Sequence, residues 1–374
     1  MKSKVLITTN PLNHEGGVVE LYNLILKHFK SEKFIIEQFN IGSRSGLFYY
    51  PVLKRIVYPF FFLFDFIRYI IKLLFDRNIK IVQVNPSLIP VPLIRDGCLI
   101  IIAKLLRKKV VVFYHGWKPG TLNLLKKRKI IRYFFNIIFQ KNTNQIVLAS
   151  SFKNDLELLG ATKKNKIIVS TTAIDKNEII IKSIAESPVL KVLFLGRVQK
   201  LKGVDEIIDS IIELKHRNKL ENFSFTIVGH EEPSGYINIL KDKLIKNDIG
   251  IDKVSFPGRI TGEKKFELYA ENNIFLLPSY TEGCPVSVLE ALSSGLFCIT
   301  TDVGALADVI KNKKNGIIVN KKSSNDITDA LLYSLKNRDD FKDRKEKANT
   351  YSEKFDISKL TKNFDNLYTH IINE

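Results

Sequence analysis

Short runs of β-branched and apolar residues recur along this 374-residue chain, at 4–8, 34–39, 79–84, 109–114, 144–149 and 166–169, and again at 190–195, 223–228, 253–256, 273–277, 297–300 and 316–319. Between most of them lie longer segments whose apolar residues return every third or fourth position. The first pattern is that of strands buried on both faces, and the second that of amphipathic helices. Strand and helix in alternation predict a parallel sheet covered by helices. The series runs twice, which predicts two doubly wound α/β domains. The stretch 174–188, from Ile174-Asp175-Lys176 to Ser187-Pro188, separates the two series. It sets the expected domains at 1–180 and 181–350, with 351–374 as a closing helix that packs back on the N-terminal domain.

Two segments of the first half are unusual. Residues 59–77 read PFFFLFDFIRYIIKLLFDR, with Asp65, Arg68, Lys72 and Asp76 on one helix face and aromatic or aliphatic residues on the others. Residues 121–139 read TLNLLKKRKIIRYFFNIIF and set Lys126-Lys127-Arg128-Lys129 beside Tyr133, Phe134, Phe135 and Phe139. Such segments are either core helices with one solvated edge or helices lying in a membrane interface. The distribution of charge favours the interface. Residues 1–180 carry 29 Lys and Arg against 11 Asp and Glu, a net +18, whereas residues 181–374 carry 29 against 28. A basic half calls for an anionic partner. Basic residues beside large apolar ones suit an anionic membrane surface, with no nucleic acid expected.

No stretch holds the roughly 18 apolar residues of a spanning helix. Met1-Lys2-Ser3-Lys4 runs into strand-like Val5–Thr9 without an apolar leader. Cys98, Cys284 and Cys298 show neither pairing nor metal spacing, which fits a reducing compartment, and the histidines are scattered. No protein-built metal site is expected.

Candidate chemistry concentrates in the second half. Ser279-Tyr280-Thr281-Glu282-Gly283-Cys284-Pro285-Val286 follows the run 273–277 and opens a helix. A strand, a glycine-containing turn and a helix N-terminus together offer free backbone N–H groups to an anion. Glu282 and Glu290 straddle that turn. Glu290, in the helix, is placed to accept from two vicinal hydroxyls such as those of a ribose, and Glu282, at the strand exit, from a sugar hydroxyl. The loop after 190–195 carries Arg197 and Lys202. A guanidinium fork and an ammonium point charge suit a diphosphate, and would neutralise a leaving group that gains negative charge.

Taken in order, Gly196-Arg197 with Lys202-Gly203, Val228-Gly229, Phe256-Pro257-Gly258, Pro278-Ser279, the pair Glu282 and Glu290, and Thr301-Asp302-Val303-Gly304 resemble the retaining glycosyltransferase family 4. The resemblance implies the GT-B fold, two Rossmann-like doubly wound parallel-sheet domains facing a central cleft. It implies transfer of a sugar from a nucleoside diphosphate sugar, with neither metal nor cofactor. By position, Arg197 and Lys202 resemble the family's diphosphate clamp, Glu290 its ribose-binding carboxylate, and Glu282 the carboxylate that touches the donor sugar. The turn Gly283, Cys284, Pro285 and Val286 would offer backbone N–H groups to sugar hydroxyls and phosphate. Gly229, with Arg259 and Ile260, would flank the nucleoside.

In the first half, Gly16 and Gly17 resemble the glycine loop near the donor phosphates, where adjacent glycines let a backbone approach closely, with His14 a weaker candidate. His115, which follows the run 109–114, resembles the histidine near the transferred sugar. Asn85 and Arg95 fall in stretches seen in polysaccharide-assembly members and would contact the acceptor. Two departures stand out. Cys284-Pro285 replaces a more usual Phe-Gly, so Pro285 withdraws one N–H. Val303–Asp308 is a variant of a double-glycine stretch. The resemblance implies a hexosyltransferase-type enzyme using a UDP-sugar. Its acceptor would be a lipid-linked or growing bacterial surface glycan: O-antigen, capsule or exopolysaccharide. It would be cytoplasmic and peripheral on the cytoplasmic face of the inner membrane. The rival readings are a sugar-nucleotide epimerase of the same fold and a non-catalytic basic binding protein.

Overall fold

The structure, a computed structural model, describes residues 2–13, 16–41, 51–161, 167–182, 187–338 and 344–374. It divides into two compact units, Met1–Thr172 with Ile357–Glu374, and Ala173–Asp356.

The first unit is built on a parallel sheet of β1 (Ser3–Thr9), β2 (Phe34–Asn40), β3 (Ile79–Val84), β5 (Lys109–Tyr114), β7 (Asn144–Val147) and β8 (Ile167–Val169), in the order β2-β1-β3-β5-β7-β8. Two short strands, β4 (Ser87–Leu88) and β6 (Gly116–Trp117), pair beyond the ends of β3 and β5. The helices are α1 (Gly17–His28), α2 (Pro51–Phe75), α3 (Pro90–Leu105), α4 (Pro119–Lys127), α5 (Lys129–Phe135) and α6 (Ser150–Leu158). The chain returns at its end as α14 (Ile357–Asn373), which packs on α1. Its buried residues Ile357, Leu360, Phe364, Leu367, Tyr368 and Ile371 follow helical spacing. Each large apolar side chain so buried contributes about 1.5–3 kcal/mol. Phe113 meets Phe364 at 6.1 Å, and Phe34 meets Tyr368 at 5.8 Å, which ties this helix to the sheet.

Right-handed crossovers put α2, α3 and the segment from α4 to α6 on one face of this sheet and α1 on the other. The orientation of α2 differs from an ordinary covering helix. Its inward face is mixed: Tyr69 and Leu73 are buried with Asp65, and at the edge Lys72 pairs with Glu37 on β2 at 2.5 Å, while Asp76 just beyond the helix takes Lys4 of β1 at 2.7 Å. Its apolar stripe turns out, with Phe60, Leu63, Phe64, Ile67, Ile71 and Leu74 all exposed. The segment 121–139 is not one helix. It breaks at Arg128, whose backbone is extended at φ −103° and ψ 96°, and ends in a π turn, Asn136–Gln140. Phe135 and Phe139 stack at 5.1 Å in the core, while Ile130, Tyr133 and Phe134 stay exposed. No helix among the described residues is long and apolar enough to cross a membrane.

The second unit repeats the plan. Its parallel sheet holds β9 (Leu190–Leu195), β10 (Phe223–Val228), β11 (Val254–Gly258), β12 (Ile274–Leu277), β13 (Phe297–Thr301) and β14 (Gly316–Val319), in the order β11-β10-β9-β12-β13-β14. The helices are α7 (Val204–His216), α8 (Tyr236–Ile245), α9 (Glu263–Glu271), α10 (Val286–Ser293), α11 (Leu306–Val309), α12 (Ser324–Lys336) and α13 (Arg344–Phe355). All twelve expected strands are present, with ends within two residues of the expected ones. In each sheet the strand order reverses once, between β1 and β3 and between β9 and β12. In open parallel sheets, ligands bind beyond the carboxyl ends of the strands at such a reversal.

Candidate functional site

The loops after β9 and β12 meet at the reversal of the second sheet. Tyr280 N donates to Leu201 O at 2.9 Å, and Gly203, at φ +74°, sits so close that a Cβ there would lie 2.2 Å from Pro278 O. From the other side the loop after β13 grips the same turn. Ala305 N donates to Gly283 O at 2.8 Å, and a Cβ on Gly304 would lie 2.1 Å from that oxygen and 2.5 Å from Glu282 O. Both glycines are required by close approach and left-handed backbone. The Thr301 hydroxyl adds a bond to Ser279 O. The turn carrying Glu282 is therefore braced on two sides before any ligand arrives.

This bracing brings Lys202 and Glu282 together, Nζ to Oε1 at 2.5 Å, with both side chains largely buried. Cys284 is buried, Gly283, Pro285 and Val286 are half-buried, and α10 begins at Val286 directly after Pro285. Glu290, on the first turns of α10, is 7% exposed. Its Oε1 takes Lys265 Nζ at 2.7 Å and its Oε2 takes the Tyr269 hydroxyl at 3.0 Å. Lys265 and Tyr269 are four apart on α9, so they share one helix face. Neither was among the expected site residues. The fourfold spacing was the available signal.

Arg197 stands elsewhere. Its Nη1 pairs with Glu232 Oε2 at 3.0 Å, both side chains being more than half exposed, and it makes no ion pair with Glu282 or Glu290. The loop that carries Glu232 is held by Val198, which donates to His230 O at 2.9 Å and accepts from Glu232 N at 3.0 Å. Glu231 accepts from Gly235 N at 2.9 Å and from Ile237 N at 2.8 Å, and these bonds hold its carboxyl below the usual range. Gly229 donates to Gly258 O at 2.9 Å; Arg259, exposed, and Ile260, half-buried, follow β11 at the same end of the sheet.

In the first unit, His115 follows β5 at the carboxyl edge of the sheet and is 8% exposed. Burial lowers its pKa from 6.5 to about 3, so the ring is neutral. Its Nε2 lies 3.1 Å from the Tyr22 hydroxyl, which also bonds Asn85 Oδ1. Asn85 donates to Thr8 O at 2.8 Å, so its amide is committed on both sides to protein partners. Arg95, the other expected acceptor contact, pairs through Nε with the buried Asp96 at 2.7 Å. Burial raises the Asp96 carboxyl, against the opposing pull of Arg95. Gly16 caps α1 and Gly17 opens it, both exposed. His14 lies outside the described residues.

Residues 175–354, nearly the whole second unit, match the family described as glycosyl transferases group 1. An uncharacterized glycosyltransferase of Methanocaldococcus jannaschii is 24% identical over 277 residues, covering 74% of this chain and 73% of its own. Among solved structures, HepE of Anabaena in complex with UDP-glucose superposes with a TM-score of 0.69 at 14% identity, covering 98% of this chain and 99% of its own. The apo lipopolysaccharide outer core galactosyltransferase WaaB does so with a TM-score of 0.69 at 15% identity, covering 98% and 99%. Likeness of this extent shows that the two parallel-sheet units form a fold of the GT-B type.

Proposed function

We propose that this chain, whose second unit matches the glycosyl transferases group 1, is a retaining transferase that moves a sugar from a nucleoside diphosphate sugar, a UDP-sugar first of all, to a lipid-linked or growing bacterial surface glycan. The observation that carries this reading is the Lys202–Glu282 pair, held on a turn braced by Gly203 and Gly304 at the reversal of the second sheet. A pyrophosphate attracts Lys202, and the freed Glu282 accepts from a sugar hydroxyl. Arg197 joins by leaving Glu232, an exposed pair worth at most about 1 kcal/mol. Glu290, oriented by Lys265 and Tyr269, takes the ribose hydroxyls. Gly283, Cys284 and Val286 offer backbone N–H groups, and Gly229, Arg259 and Ile260 flank the base. Gly16 and Gly17 approach the phosphates, and His115 meets the transferred sugar.

In the proposed reaction the bond from anomeric carbon to phosphate oxygen breaks as the acceptor oxygen bonds that carbon on the same face. The acceptor's proton passes to a leaving phosphate oxygen. Arg197 and Lys202 neutralise the charge that develops there, so neither a protein nucleophile nor a metal is asked for. The UDP assignment is supported by the Anabaena neighbour's ligand, and the glycan assignment by the role in WaaB's name.

The first unit is proposed to hold the acceptor and to rest on an anionic membrane from the cytoplasmic side. The apolar stripe of α2, the exposed Ile130, Tyr133 and Phe134 of α5, and the net +18 of residues 1–180 support that partner. The test of the whole reading is a thermal-shift series with UDP, GDP, ADP and dTDP, and then with their sugars. One nucleotide at about 100 times its Kd should stabilise the second unit by about 2.7 kcal/mol, and Lys202→Ala should abolish the shift. No response to any of the four would overturn it.

A further inference from the structure

Several buried polar groups of the first unit form one chain of hydrogen bonds, and its direction follows from donors and acceptors. Tyr368, on α14, donates to Gln83 Oε1 at 2.6 Å. That bond turns the Gln83 amide nitrogen toward the Tyr22 oxygen at 3.0 Å and Asn85 Oδ1 at 3.3 Å. Asn85 gives its own nitrogen to Thr8 O at 2.8 Å and so presents Oδ1, an acceptor only, to the Tyr22 hydroxyl. Reversing the Asn85 amide would set Oδ1 against the Thr8 carbonyl, and reversing that of Gln83 would set Oε1 against Asn85 Oδ1; both confront two acceptors. The single hydroxyl proton of Tyr22 therefore goes to Asn85. Toward His115 Nε2, at 3.1 Å, the Tyr22 oxygen is left able only to accept.

We propose that Tyr22, oriented by Gln83, Asn85 and Tyr368, is a positioning residue that fixes His115 as the Nε2–H tautomer and leaves Nδ1 bare to accept from a hydroxyl of the bound sugar. Burial raises the hydroxyl pKa of both Tyr22 and Tyr368, so neither donor is lost at working pH. The same burial keeps the imidazole neutral, so one nitrogen and not both carries a proton. The C-terminal helix thus supplies the first donor of a relay that ends 3.1 Å from the ring. The sugar contact rests on the proposed transferase reading; the tautomer does not.

The test uses the full chain labelled with nitrogen-15 histidine. Two-bond proton–nitrogen correlation at neutral pH should show the proton of His115 on Nε2. A proton on Nδ1, or on both nitrogens, in the wild-type protein overturns the proposal without recourse to any variant. Tyr22→Phe should give a mixture of tautomers and lower kcat about tenfold with little change in donor KM. In a His115→Ala background the same substitution should cost nothing further. An unchanged tautomer in Tyr22→Phe refutes the role of Tyr22. A normal rate in His115→Ala beside a fixed Nε2–H signal would instead sink the sugar contact and leave the tautomer standing.

Discussion

Lys202 Nζ lies 2.5 Å from Oε1 of Glu282, on loops that follow different strands and are locked to each other by backbone bonds. Two opposite charges held this way present no net charge until a ligand divides them. A diphosphate with an attached sugar divides them in the chemically useful sense, anion to Lys202 and hydroxyl to Glu282. Lys202→Ala should then lower kcat by roughly 10²–10³-fold, the usual loss for one fixed donor at a developing anion. The far-UV circular dichroism should not change. Turnover within about twofold of wild type would exclude Lys202 from the clamp.

Glu290 offers a sharper test of donor recognition, because its two oxygens are already oriented by Lys265 and Tyr269. A carboxylate that accepts from a ribose should discriminate against a 2′-deoxynucleotide. Calorimetric titration should give wild type about ten- to a hundredfold weaker binding of the 2′-deoxy diphosphate, the range for a hydrogen bond to a charged group. Glu290→Gln should bind both nucleotides with nearly equal, weakened affinity. Equal binding of the two by wild type would remove Glu290 from the ribose.

The strands were legible because both faces of each are buried, which writes a continuous apolar run into the sequence. The two-residue strands Ser87–Leu88 and Gly116–Trp117 are too short to carry a period. The polar stripe of α2 was legible as a stripe, yet its direction was not. Periodicity says which residues share a face, and it is the burial of Tyr69 and Leu73 beside Asp65, with the pairs of Lys72 to Glu37 and Asp76 to Lys4, that decides which side meets the sheet. The glycine motifs marked a glycine-containing turn around Glu282, but the gripping of Gly283 O by Gly304 and Ala305 is a contact between distant loops. The pairing of Arg197 with Glu232, 35 residues away, and of Tyr368 with Gln83, 285 away, left no mark on spacing at all.

The bracing itself can be challenged at Gly304. Its φ is +56°, and an added Cβ would lie 2.1 Å from Gly283 O, a carbonyl that cannot rotate aside. Gly304→Ala should displace the 282–284 turn, lower kcat at least tenfold, and lower the melting temperature of the second unit by several degrees. Gly120→Ala is the control, since a Cβ there meets nothing within 4 Å and the residue has no place in the proposed site. A stable, fully active Gly304→Ala would show that the turn does not need its support.

The outward stripe of α2 yields a prediction for membranes. Phe64→Glu with Ile71→Glu places two charges on exposed positions, so the fold should survive. Sedimentation with vesicles containing anionic lipid should show binding by wild type and at least tenfold weaker binding by the pair. Replacing Lys127 and Lys129 with Gln should cost about 1 kcal/mol each, and raised salt should mimic it. If the Phe64/Ile71 variant partitions like wild type, α2 does not meet the bilayer.

Acid stability should report the burial of His115. Burial takes its pKa from 6.5 in the open chain to about 3 in the folded one. Between those values the unfolded chain binds more protons than the folded chain, so stability rises with pH. The contribution is complete above about pH 6.5 and is lost as pH falls toward about 3, at about 1.4 kcal/mol per unit. His115→Asn keeps a donor for the Tyr22 oxygen and removes the titration. In urea unfolding followed by signals of the first unit, wild type should lose stability faster than His115→Asn as pH falls from about 6.5 to about 4. The gap should widen by about 1.4 kcal/mol per unit. Parallel curves would mean that the imidazole accepts its proton inside the fold, and both its neutral state and its place as an acceptor toward the sugar would have to be given up.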